Sequence, residues 1–222
     1  MESATEPRVT QWTALDLVQR FGPLPLRRVR FDVPPGTATE RDVVRIFACE
    51  KRLCELVDGV LVEKAMGYWE SVLAITLGRL LGNFVAERNL GVVAGEAGMM
   101  RLAPGLVRIP DLSFVSWARL PGGPREPLPD LVPDLAVEIL SEGNTEQEMA
   151  GKRHEFFGAG CRQMWFVDVR ARTVEVFFAT DRSVLLREGQ VLEGGDILPG
   201  FSVPLVQLFG EPTPDEPRTE KP

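Results

Sequence analysis

The sequence predicts a fold of the α+β or α/β class: a mixed central β-sheet flanked by helices, with an N-terminal helical extension and a β-hairpin. Three observations predict it. Strand-length runs rich in Val, Ile, Leu and Phe recur at 53–57, 60–64, 107–116, 134–140, 163–169 and 173–179. Helix-length runs with apolar residues three or four apart lie among them at 13–21, 67–88 and 145–157. The chain has 222 residues, 44% hydrophobic and 26% charged, enough for one sizeable core.

Composition narrows the classes. No apolar run approaches the ~20 residues of a membrane-spanning helix. The N-terminus, M-E-S-A-T-E-P, has no basic and apolar leader pattern, so the cytoplasm is the expected compartment. Cys49, Cys54 and Cys161 have no metal-ligand spacing and only His154 to help them, which argues against zinc. A net charge of −7 counts against a broad nucleic-acid surface but leaves room for a local basic cleft.

The elements follow in order. Residues 1–12 are polar and expected to fray. In 13–21, Leu15, Val18 and Phe21 share a side, Thr13 is placed as N-cap, and Gly22 and Pro23 stop the helix. Arg27, Arg28 and Arg30 form the most basic short segment. A solvated charged face is the commoner use of such a run; a phosphate-gripping arm is the other. After the Pro34-Pro35-Gly36 turn, Thr37 or Thr39 caps a short helix through Phe47. Asp58-Gly59 between two apolar runs predicts a hairpin, because both turn positions tolerate positive φ. Glu55 and Glu63 on its strands could each point toward a metal; salt bridging or solvent exposure is the commoner use of such residues.

The longest helix, 67–88, turns Leu73, Leu77, Leu80, Leu81 and Phe84 inward. Residues 90–102 read as a turn and one strand, bent at Gly95 and Gly98, with Glu96 of undetermined facing. Residues 107–116 read as one strand, and 120–133 as a Pro/Gly-rich surface loop. Beyond the helix that ends at Gly158 and Gly160 come strands 163–169 and 173–179. A further hairpin follows, 183–187 with 190–192, and then an apolar cover, 197–208.

Two carboxylates stand out. Asp111 shares a face with Ile109, Ser113 and Val115 by period-two alternation, amid apolar neighbours. Glu138 sits on the Ala136–Leu140 face of a wholly apolar run, the least expected charge in the chain. A buried carboxylate needs a cation, a proton or a metal. Oxygen ligands from neighbouring strands suit a hard divalent cation such as Mg²⁺ or Mn²⁺. Lys152 lies on the buried stripe of Met149 and Phe156, in a helix that Asn144 or Thr145 can cap, and so aims at the sheet. Each residue also has a plain reading: Asp111 wet at an edge opened by Pro110, Lys152 snorkelling. Glu70, near a helix N-terminus, is equally placed to answer the helix dipole or to point inward as an outer carboxylate.

The segments C-E-L-V-D-G-V-L-V-E-K, R-I-P-D-L-S-F-V, P-D-L-A-V-E-I-L-S-E-G-N-T and Q-M-W-F-V-D resemble the Uma2 family of candidate restriction endonucleases. The order Pro110-Asp111, Glu138, lysine is similar to the PD-(D/E)XK nuclease superfamily. The resemblance implies a restriction-endonuclease-like core over 51–209, which leaves an N-terminal extension over 1–50, and the prolines and mixed charges of 210–222 predict a disordered tail. It further implies Mg²⁺-dependent (or Mn²⁺-dependent) hydrolysis of DNA by a homodimer. Asp111, Glu138 and the Ile139 carbonyl would hold the metal, Lys152 would supply the ammonium, and Glu70 would be an outer carboxylate. Leu140 stands where the superfamily pattern has lysine; in Uma2-like chains the lysine comes from the following helix, where Lys152 lies. Two rivals stay open. One is a catalytically inactive nuclease-like module that binds nucleic acid or a protein. The other is a two-carboxylate glycosidase, for which Trp117 and Trp165 look like strand packing and not sugar platforms.

Overall fold

The computed structural model describes residues 12–65, 67–123 and 126–210. The expectations of a frayed start and a disordered tail fall on residues 1–11 and 211–222, outside the described residues. Helices α1 (Ala14–Phe21) and α2 (Glu40–Glu50) precede the hairpin β1 (Cys54–Val57) and β2 (Val60–Glu63). The long helix α3 (Tyr68–Glu87) leads to β3 (Gly91–Ala94), β4 (Met100–Ala103), β5 (Leu106–Arg108) and β6 (Leu112–Ser116). Then come β7 (Leu135–Leu140), α4 (Glu146–Ala159), β8 (Gln163–Asp168), β9 (Thr173–Ala179) and β10 (Arg182–Arg187). The short β11 (Val191–Glu193), β12 (Ser202–Pro204) and α5 (Leu205–Phe209) follow.

Local chemistry accounts for the ends. Thr13 and Thr39 each form a reciprocal capping box, with Asp16 and Asp42. Thr145 caps α4 by accepting from the Glu148 N–H. Asp58 (φ 50°) and Gly59 (φ 73°) make the hairpin turn, with Val57 opposite Val60.

The central sheet has the order β10-β9-β8-β7-β6-β3. Among the described residues of this sheet only β7 and β8 run parallel, and α4 is the crossover between them. On one face α3 packs Leu73, Leu77 and Leu81 against Leu112, Val137, Ile139 and Trp165. On the other, Met149 and Phe156 of α4 meet Ala136, Met164 and Phe166. The mixed sheet flanked by helices is thus present. A second sheet, β2-β1-β5-β4, abuts it.

Four expectations are corrected. Residues 107–116 are two strands in different sheets: Pro110 has no N–H to continue a ladder, so the chain leaves one sheet after Arg108 and enters the other at Leu112. Residues 90–102 likewise divide, with the Gly95–Gly98 turn carrying the chain from β3 in the central sheet to β4 in the smaller one. The predicted hairpin around Glu188-Gly189 does not form: β10 pairs along β9, and β11 pairs with β12. In α1 the buried residues are Leu17 and Phe21, four apart and so on one face, while Leu15 and Val18 are exposed.

Candidate active site

The site forms where the two sheets meet. Leu112 of β6 pairs with Val137 of β7, so one step further along that ladder sets Asp111 opposite Glu138. Two backbone bonds hold the step: Asp111 N–H donates to the Val137 carbonyl (3.0 Å), and Ile139 N–H donates to Asp111 Oδ2 (2.6 Å). The other Asp111 oxygen accepts from Lys64 Nζ at 2.6 Å, and the same ammonium donates to the Ile109 carbonyl at 2.5 Å.

Glu138 receives Lys152 from the α4 side. Lys152 Nζ lies 2.9 Å from Glu138 Oε2 and 3.2 Å from Glu55 Oε1. Glu55 also accepts from Arg108 Nη1 (2.7 Å) and from the Ile109 N–H (3.1 Å). Arg108 in turn reaches Glu155 at 2.5 Å, and Glu155 reaches Arg20 of α1 at 2.5 Å. An ion chain therefore runs from the N-terminal helix through Glu155, Arg108, Glu55 and Lys152 to Glu138. Glu55, Arg108, Asp111, Glu138 and Lys152 are all buried.

The chain ends asymmetrically. Both Glu55 oxygens are bonded. Glu138 Oε1 is buried with no hydrogen-bond partner among the described residues. Titration follows this difference. Burial pushes the Glu138 carboxyl up, and Asp111 adds to the push; Lys152 offsets only part of it, leaving it at about 7. Burial acts on Glu55 as well, but Lys152, Arg108, Lys64 and the Ile109 N–H outweigh it and hold the carboxyl at about 2. Burial works against the Lys152 charge, yet Glu138 and Glu55 raise its pKa above the ordinary value.

The predicted residues are placed as follows. Asp111, Glu138 and Lys152 gather in this cluster. Ile139 contributes its N–H to Asp111 and its side chain to the α3-side core. Glu70 is half-buried, and its carboxylate folds back over Gly67, the N-cap of its own helix: a Cβ built there would lie 2.2 Å from Glu70 Oε2. Glu63 pairs with Arg30 and Arg52. Glu96 is exposed and lines, with Asp111, a cavity of about 610 Å³. The phosphate-arm reading of the Arg27–Arg30 segment is corrected for two of its residues. Arg28 is buried in a two-pronged bond to Glu148, and Arg30 is engaged by Asp32, Glu50 and Glu63. His154 is exposed.

The donor set fits a magnesium-type ion, which usually takes one or two protein carboxylates and keeps the rest of its octahedron for water and substrate. The unpartnered Glu138 oxygen beside Asp111 is the observation that fits. Among the described residues, no three His, Cys, Asp or Glu side chains form a ready-made metal cage.

A family model described as "Uma2: Putative restriction endonuclease" matches residues 48–206, most of the chain.

The chain belongs to the Uma2 family.

The fold also resembles a crystal structure described as a "putative nuclease belonging to DUF820" from Anabaena variabilis ATCC 29413. The TM-score is 0.65 at 17% identity, over 72% of this chain and 90% of that one. At that identity the likeness speaks to the fold alone. No curated protein matches. Among the described residues, no helix of this Uma2 protein is long and apolar enough to cross a membrane.

Sequence reasoning missed Lys64 and Arg108 and undervalued Glu55. The signal was present for two of them. Glu55 lies opposite Val62 on a face with Val57 and Val60, and Lys64 continues the Val60–Val62 alternation. Both are charges on apolar strand stripes, the pattern that singled out Glu138.

Proposed function

We propose that this Uma2 protein is a divalent-metal-dependent endonuclease that hydrolyses DNA phosphodiester bonds. The observation that carries the reading is the buried, unpartnered oxygen of Glu138, the residue set opposite Asp111 by the β6–β7 register. Asp111 and Glu138 would hold Mg²⁺ or Mn²⁺, with the Ile139 carbonyl as a further ligand. A bound ion would lower the pKa of a water nucleophile and neutralise phosphate charge. Lys152 keeps its proton because two carboxylates flank it, so it serves as a fixed positive charge behind Glu138. Glu55 and Arg108 set its position. Glu70 is assigned an outer role through water.

One observation favours the rival, a nuclease-like module without turnover. Lys64 already neutralises Asp111, and three cations (Lys64, Lys152, Arg108) balance three carboxylates (Glu55, Asp111, Glu138) without a metal. Cleavage assays on plasmid and oligonucleotide DNA with Mg²⁺ or Mn²⁺ decide between them. The nuclease reading expects cleavage by the wild type and its loss in Asp111→Asn, Glu138→Gln and Lys152→Met, each checked for folding. DNA binding without cleavage in any metal supports the module. Duplex cleavage by two sites also implies a C2 dimer, which light scattering with and without DNA tests.

A further inference from the structure

The cavity that Asp111 lines is a groove beside the cluster, walled on one side by α3 and on the other by the Gly95–Gly98 turn. Its volume, about 610 Å³, is that of a small-ligand site. The α3 wall presents Ser71, Ile75, Gly78, Arg79 and Gly82. Arg79 is exposed and has no ion pair among the described residues, whereas Arg20, Arg28, Arg30 and Arg108 are all engaged by carboxylates. The opposite wall carries one acid, Glu96.

The glycines show that this space is kept open. Gly78 has a packing reason, since a Cβ there would press on Leu112 Cδ2 at 3.0 Å, and Gly98 has one against Ala94. Gly82 and Gly95 have neither kind of reason. A Cβ at either would meet nothing within 4 Å, and neither residue has a positive φ. Glycine in the middle of a helix weakens it relative to alanine, so Gly82 is unfavourable to the fold alone. Both glycines face the groove that leads to Asp111.

Resting on the nuclease reading, we infer that this groove seats one nucleotide unit of a polynucleotide strand next to the bond under attack. The strand's phosphate lies on the α3 wall against Arg79, and its sugar and base lie against the Gly95–Gly98 turn. Charge sets this polarity: the free guanidinium takes the phosphate, and Glu96 repels phosphate but accepts from a base amino group. The walls without side chains at Gly82 and Gly95 allow the strand to approach the protein closely.

The test uses a fluorescein-labelled single-stranded oligonucleotide, with anisotropy measured in EDTA so that cleavage and metal play no part. Arg79→Glu should weaken binding about tenfold or more, against a small change for Arg187→Glu, a distant exposed arginine. Gly82→Phe should abolish binding by filling the groove. Gly82→Ala should bind as the wild type does and melt at a higher temperature, which shows that the position tolerates a side chain. Circular dichroism confirms that each variant is folded. A folded Gly82→Phe or Arg79→Glu that binds like the wild type overturns the groove assignment and leaves the nuclease reading standing if the wild type still cleaves. A wild type that neither binds nor cleaves DNA overturns both.

Discussion

Glu55 and Glu138 share one lysine and almost the same burial, yet they are opposite kinds of carboxylate. On the hairpin side, Glu55 is met by Arg108, Lys152 and a backbone N–H, and each of its oxygens is bonded. On the central-sheet side, Glu138 has Lys152 on one oxygen and nothing on the other. A fully bonded buried ion holds structure together, and its loss strands its partners. A half-bonded one sits in the fold at a cost, which is expected where a ligand completes the bonding. The difference separates the fully bonded half of the cluster from the half to which the proposed function assigns the metal, and it can be broken experimentally from either side.

The largest effect is expected at Glu55. Glu55→Gln leaves Arg108 and Lys152 short of a countercharge in the interior and should destabilise the protein by about 3–5 kcal/mol in urea unfolding. Stability against pH comes next, and its sign differs between the two acids. Glu138 has a folded pKa of about 7 against an ordinary 4.5, so the folded chain holds the extra proton between those values. Metal-free stability should therefore be full below about pH 4.5 and fall as pH rises to about 7, by on the order of 2–3 kcal/mol from this group. Glu55, held at about 2, acts oppositely: its contribution is present above about pH 4.5 and is lost as pH falls towards 2. Unfolding curves of wild type and Glu138→Gln from pH 4 to 8 should differ by that falling limb. Parallel curves would remove Glu138 from the account of pH dependence.

Smaller still is Glu138→Gln itself at neutral pH. It discards a charge that lacked half its bonds while Lys152 keeps Glu55, so the variant should lie within about 1 kcal/mol of the wild type or be more stable. The smallest effect belongs to a pair far from the cluster. Arg170 and Glu142 are both exposed, and Arg170→Ala should cost less than about 0.5 kcal/mol. A loss there as large as at Glu55 would mean that burial does not separate the two classes of ion pair.

Much of this contrast could be read before the structure. Glu138 and Lys152 were legible because each is a charge on an apolar stripe, one with period two and one with helical spacing, and the structure joins them at 2.9 Å. The hairpin was legible because Asp58-Gly59 is a local signal. What escaped was non-local. The switch of sheets at Pro110 and the use of Arg28 by Glu148 depend on partners far away in sequence. Lys64 meets Asp111 across 47 positions, and no periodicity announces that contact. Local patterns picked out Glu138 and Lys152 as buried charges; they did not bring in Glu55, Lys64 and Arg108, which complete the cluster.

The central claim is that the free oxygen of Glu138 awaits a divalent cation. Calorimetric titration of Mn²⁺ into wild type and Glu138→Gln above pH 7, with both proteins folded, tests it directly. One binding site in the wild type, weakened in the variant by more than ~10–100-fold, is the predicted result. Equal affinity in the two proteins would contradict it.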